Sequence, residues 1–92
     1  MNSRDKGKRG ERELAGLIGG RRGDNLLGSA DVVGLEGFHV EVKRRERVDM
    51  VRWCEQAEAD CGDGEVPLVA WRRNRDDWRV TLPLEAFLEL LR

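Results

Sequence analysis

The sequence predicts an α/β domain, a small mixed β-sheet flanked by helices in the order α-β-β-α-β-β-α. Three observations predict it. A chain of 92 residues has room for one modest core and no separate cofactor-binding half. Its apolar residues fall in short blocks, none long enough to span a membrane. Those blocks alternate between helical and strand periodicity and are separated by Gly, Pro and Asp turn signals, a pattern that packs economically as helices on a sheet.

The elements follow in order. Residues 1–7 read as a flexible basic N-terminus, and residues 8–92 as a single domain. Residues 8–19 read as a helix in which Glu11, Leu14, Leu17 and Ile18 share one broad face, stopped by Gly19-Gly20. Residues 21–29 read as a basic loop. Residues 30–35 and 38–43 are two strands around the turn Glu36-Gly37, which predicts a hairpin. In the second strand Phe38, Val40 and Val42 face one way and His39, Glu41 and Lys43 the other, because strand side chains alternate. Asp49 is placed to cap a helix ending near Asp60, with Met50, Val51, Cys54, Ala57 and Cys61 on its apolar side. Residues 62–65 end it. Residues 68–71 and 78–82 are further strands around a polar turn, and residues 83–91 form a last helix, with Pro83 tolerated in its first turn.

Seventeen basic and eighteen acidic residues give a net charge of -1, which excludes a histone-like polyanion binder. The charge is polarised, however: residues 1–47 hold eleven Lys and Arg against eight Asp and Glu, and the remainder hold six against ten. The basic N-terminus lacks the apolar stretch of a signal peptide, so an intracellular, cytoplasmic protein is expected, with no membrane partner. Cys54 and Cys61 are too few for a zinc knuckle and read as ordinary thiols. With no Tyr and few aromatic residues, a base-stacking platform is disfavoured. Trp53, Trp71 and Trp78 read as core, and Trp53 also as a candidate dimer contact.

The chemistry concentrates in the hairpin. Asp31 opens its first strand, and Glu41-Val42-Lys43 sets a carboxylate and an ammonium on one face of the second. Antiparallel pairing brings Asp31 near Glu41. Two carboxylates held together repel, and a hard divalent cation relieves the repulsion. Oxygen ligands from Asp31, Glu41 and the Val42 carbonyl suit one or two Mg2+ or Mn2+ ions, with Glu11 available to complete the set. Lys43 is then the group that meets a phosphate and stabilises its growing negative charge. Glu13 and Glu46 are weaker substitutes for Glu11. His39, on the same strand face as Glu41, is expected to be a partly buried structural histidine, with metal contact or proton acceptance as the second reading.

Gly28-Ser29-Ala30-Asp31, followed by Glu41-Val42-Lys43, resembles the PD-(D/E)XK nuclease motif, with Ala30 where the motif has proline. The upstream Glu11, in Lys8-Arg9-Gly10-Glu11-Arg12-Glu13-Leu14, is similar to the first-helix glutamate of the Holliday-junction-resolvase branch. The resemblance covers most of the chain. It implies a restriction-endonuclease-like core and a metal-dependent DNA endonuclease, with Asp31, Glu41 and Lys43 at one end of the sheet. It further implies a supporting role for Gln56 beside the site. A small phage-type enzyme acting in a host cytoplasm fits this compactness.

Lys6, Lys8, Arg9 and Arg12 around the first helix, Arg21 and Arg22 after it, and Arg44, Arg45 and Arg47 after Lys43 are the expected DNA-binding residues. Such residues hold phosphates without reading bases. The expected partners are branched or duplex DNA and a second copy of the chain, whose aliphatic C-terminal helix would be buried in a homodimer. A terminase, recombinase or second nuclease is a further candidate partner. The alternative functions are a non-catalytic DNA-binding accessory subunit that keeps the nuclease scaffold, and a protein-interaction module.

Overall fold

The computed structural model describes residues 3–23 and 30–92, residues 3–6 by their backbone alone. Three helices and five strands follow in the order α1 (Ser3–Ile18), β1 (Arg21–Arg22), β2 (Val32–Val33), β3 (Phe38–Arg44), α2 (Met50–Asp60), β4 (Val66–Arg72), β5 (Arg79–Thr81) and α3 (Leu84–Leu90). The strands form one open sheet in sequence order. The β3–β4 pair is parallel and the other three pairs are antiparallel, so the sheet is mixed as expected. A parallel pair needs a crossover, and α2 is that crossover.

The central strands are covered on both faces, and their alternation sorts the core into two layers. Val40 and Val42, with their β4 neighbours Leu68 and Ala70, meet Leu14 and Ala15 of α1. On the opposite face Val69, the β4 neighbour of Glu41, packs with Trp53 and Ala57 of α2, and Met50, Cys54 and Trp71 close the cluster. Trp53 and Trp71 lie with ring centroids 6.3 Å apart. Trp53 is therefore a core residue of the single chain rather than a dimer contact.

Several expected boundaries are corrected. The first helix opens at Ser3 instead of residue 8, extending through straight-chain Arg and Lys residues that lose little rotamer freedom in a helix. Its buried stripe runs through Gly10, Leu14 and Ala15, while Leu17 is exposed. At Gly10 a Cβ would sit 3.0 Å from the Arg44 Cβ, tighter than an ordinary contact, so its absence lets α1 lie close on β3. The predicted stop is realised: Gly19 adopts φ 72° and the Gly20 N–H donates to the Ala15 carbonyl at 2.8 Å. Part of the expected basic loop is instead the strand β1, and Gly20 makes its approach possible, since a Cβ there would fall 2.0 Å from the Val33 carbonyl oxygen. On α2, Asp49 occupies the N-cap without a side-chain cap bond, and Val51 is exposed where Trp53 takes the buried position. The last helix buries no residue and leaves Leu84, Phe87, Leu90 and Leu91 exposed. No helix among the described residues is long and apolar enough to cross a membrane.

Candidate metal centre

The site lies on the α2 face of β3, where strand alternation aims His39, Glu41 and Lys43 at the crossover helix. His39 and Glu41 are each only 2% exposed, so two polar side chains sit inside the protein and must satisfy one another. His39 Nε2 lies 2.9 Å from Glu41 Oε1. Asp60, in the last turn of α2, completes a group whose ligand atoms all lie within 4.8 Å of one another. A buried imidazole with two carboxylates is a donor set able to coordinate a metal ion.

Asp31 comes from the neighbouring strand connection, just before β2. Val32 pairs with Val40, and next to that pair the Asp31 N–H donates to the Val40 carbonyl at 2.9 Å. Its carboxylate then accepts the Val42 N–H at 2.8 Å, taking a place that a strand carbonyl fills in a regular ladder. The Val42 backbone thus meets Asp31 through its N–H. The Val32–Val40 pairing sets Asp31 opposite Glu41 on the neighbouring strand. Burial, reinforced by the Asp31 charge, pushes the Glu41 carboxyl up to about 7, with the His39 hydrogen bond acting in the opposite sense. At neutral pH Glu41 is poised between its acid and its carboxylate, the form a cation would select.

Lys43 stands at the other end of the same strand face, half-buried, and its Nζ donates to Gln56 Oε1 of α2 at 2.8 Å. Because α2 returns over β3, Gln56 covers Lys43 while Asp60 reaches the His39–Glu41 end. Glu11 projects from α1, the helix on the opposite face, and accepts from Arg22 Nε at 3.1 Å. Glu13 is engaged by Trp78 Nε1 at 2.8 Å and by Arg72 at 3.0 Å, and Glu46 accepts the Asn74 N–H at 2.7 Å. These contacts tie α1 and the β3–α2 connection to the β4–β5 end of the sheet.

Of the basic residues, Arg9, Arg12, Arg21 and Arg47 are exposed, Lys8 and Arg45 are half-buried, and Arg22 is occupied by Glu11. Arg44 alternates to the α1 face, where its Nε and Nη1 are buried without a hydrogen-bond partner among the described residues. Gly28 and Ser29 of the motif, and the Lys6 side chain, lie outside the described residues. The residue that sequence reasoning missed is Asp60. Its signal was topological: a helix that crosses between parallel strands runs back along the first of them, so its last turn overlies that strand's beginning. In comparisons with protein-family models, curated proteins and solved structures, nothing matches the chain.

Proposed function

We propose that this protein is a metal-dependent DNA endonuclease that hydrolyses phosphodiester bonds with Asp31, Glu41 and Lys43 at its centre. The observation that carries the reading is the docking of the Asp31 carboxylate on the Val42 N–H at 2.8 Å, which sets Asp31 beside Glu41, with Lys43 on the same strand face two residues on. Asp31 and Glu41 would hold Mg2+ or Mn2+, because a cation relieves the repulsion of two neighbouring carboxylates, which otherwise favours the protonated form of one. The cation supplies Lewis-acid charge at the phosphodiester. Lys43 supplies a positive charge for the phosphate oxygens, and Gln56 orients that ammonium through its 2.8 Å hydrogen bond. Glu11, held by Arg22 beneath the helix on the opposite face of the sheet, is left out of this ligand set.

Exposed Arg9, Arg12, Arg21 and Arg47 suit phosphate contacts that position branched DNA, such as a Holliday junction, without reading its bases. The exposed strip of Leu84, Phe87, Leu90 and Leu91 suits a second copy about a two-fold axis, which would pair two sites for paired incisions.

The test is incision of matched junction, flap, nicked, linear and supercoiled DNA with Mg2+, Mn2+ or EDTA, comparing wild type with D31N and K43A. The expected result is cutting that EDTA abolishes, that D31N eliminates, and that K43A lowers by about two orders of magnitude or more. Undiminished cutting by both folded variants would refute the site. Salt-sensitive DNA binding with no cutting under any condition would assign the chain instead as an accessory DNA-binding subunit.

A further inference from the structure

Beyond the Asp31–Glu41 pair, His39 and Asp60 converge on the same glutamate from β3 and α2. We propose that Glu41 is shared between two cation sites of different chemistry: an all-oxygen site with Asp31, and a nitrogen-containing site with His39 and Asp60 that takes a borderline divalent ion such as Co2+ or Zn2+. The inference rests on the proposed nuclease reading for the first ion only.

Three features carry the second site. The 2.9 Å separation of His39 Nε2 and Glu41 Oε1 is close to the edge of a coordination polyhedron with bonds of about 2.1 Å, for which adjacent ligand atoms lie about 3 Å apart. The Asp60 carboxylate stands within 4.8 Å of both, on a half-buried side chain that can close on an ion and leave a route from solvent. The donor set includes an imidazole. Mg2+ dehydrates reluctantly and prefers oxygen ligands, whereas Co2+ and Zn2+ gain from nitrogen, so the two donor sets that share Glu41 select different metals. His39 and Glu41 are buried in the core face, so an ion there would fasten the last turn of α2 to β3 and hold the Glu41 carboxylate in its ionised form.

The experiment is a titration of the metal-free, full-length chain with Co2+, followed by its visible absorption and by calorimetry, with Zn2+ competition and a parallel Mg2+ titration. Wild type, D60N, H39Q and D31N are compared after circular dichroism establishes that each is folded. D60N is the variant expected to disturb the fold least, because its side chain is half-buried and its shape is kept. The expected result is one Co2+ equivalent without thiolate-to-cobalt charge transfer, displaced by Zn2+. Its affinity falls at least about tenfold in D60N and in H39Q and is retained in D31N. Wild-type affinity for Co2+ in both D60N and H39Q, or no Co2+ binding by the wild type, overturns the second site. Failure of the nuclease reading registers separately, as Mg2+ binding that D31N does not weaken or as an absence of Mg2+-dependent incision, and neither alters the cobalt signal.

Discussion

The variant E41Q is expected to change how stability depends on pH. In the unfolded chain this carboxyl titrates near 4.5, and in the folded protein burial beside Asp31 raises it to about 7. Between those values the native state binds more protons than the unfolded state, so stability falls as pH rises. Glu41's contribution is fully present below about pH 4.5 and is lost as pH rises through about 7. At about 1.4 kcal/mol per pH unit, the change amounts to about 3 kcal/mol, a large part of the total stability of a domain this size. Gln cannot ionise, so E41Q lacks the decline. Urea denaturation of wild type and E41Q in EDTA, between about pH 4.5 and 8, should give a difference curve that moves in favour of E41Q by about 3 kcal/mol. Divalent cation added at the upper end should restore the wild type, since the metal binds the carboxylate. A flat difference curve would refute the argument that burial and Asp31 hold the proton on Glu41.

Three further variants test the scaffold. W53A should cost about 3–5 kcal/mol in urea denaturation, because Trp53 fills the cluster with Ala57, Val69 and Trp71; a loss under about 1 kcal/mol would remove it from the core. G20A should destabilise by at least about 2 kcal/mol, since its Cβ would lie 2.0 Å from the Val33 carbonyl oxygen. G16A, where a Cβ in α1 meets nothing within 4 Å, should be neutral or stabilising by up to about 1 kcal/mol; equal effects of the two would sink the close-approach explanation for β1.

The parts of the site that could be read from the sequence were those set by local periodicity. Period-two alternation assigned Glu41, His39 and Lys43 to one face of β3, and a short turn is enough to bring Asp31 alongside. Periodicity worked less well on α2, where Val51 and Trp53 both fit an apolar side and the contact with Val69 decided between them. The two-residue β1 carried no strand signal, being a pair of arginines; it exists because Gly20 lets the backbone approach β2. His39 was legible as a partly buried histidine; the structure buries it fully, and its 2.9 Å contact with Glu41 depends on the side-chain conformations that the core imposes.

By itself, then, the sequence determined the α/β class, the order of its main elements and the strand face that carries the carboxylate and the lysine, because backbone periodicity and turn chemistry act over a few residues. Tertiary structure decided which carboxylates meet. α1 settles on the Val40–Val42 face, where Glu11 joins Arg22, and the return of α2 over β3 carries Gln56 to Lys43 and Asp60 to the His39–Glu41 pair. A coordination group needs donor atoms within a few ångströms, and only the packing of helices on opposite faces of the sheet determines which distant side chains come that close.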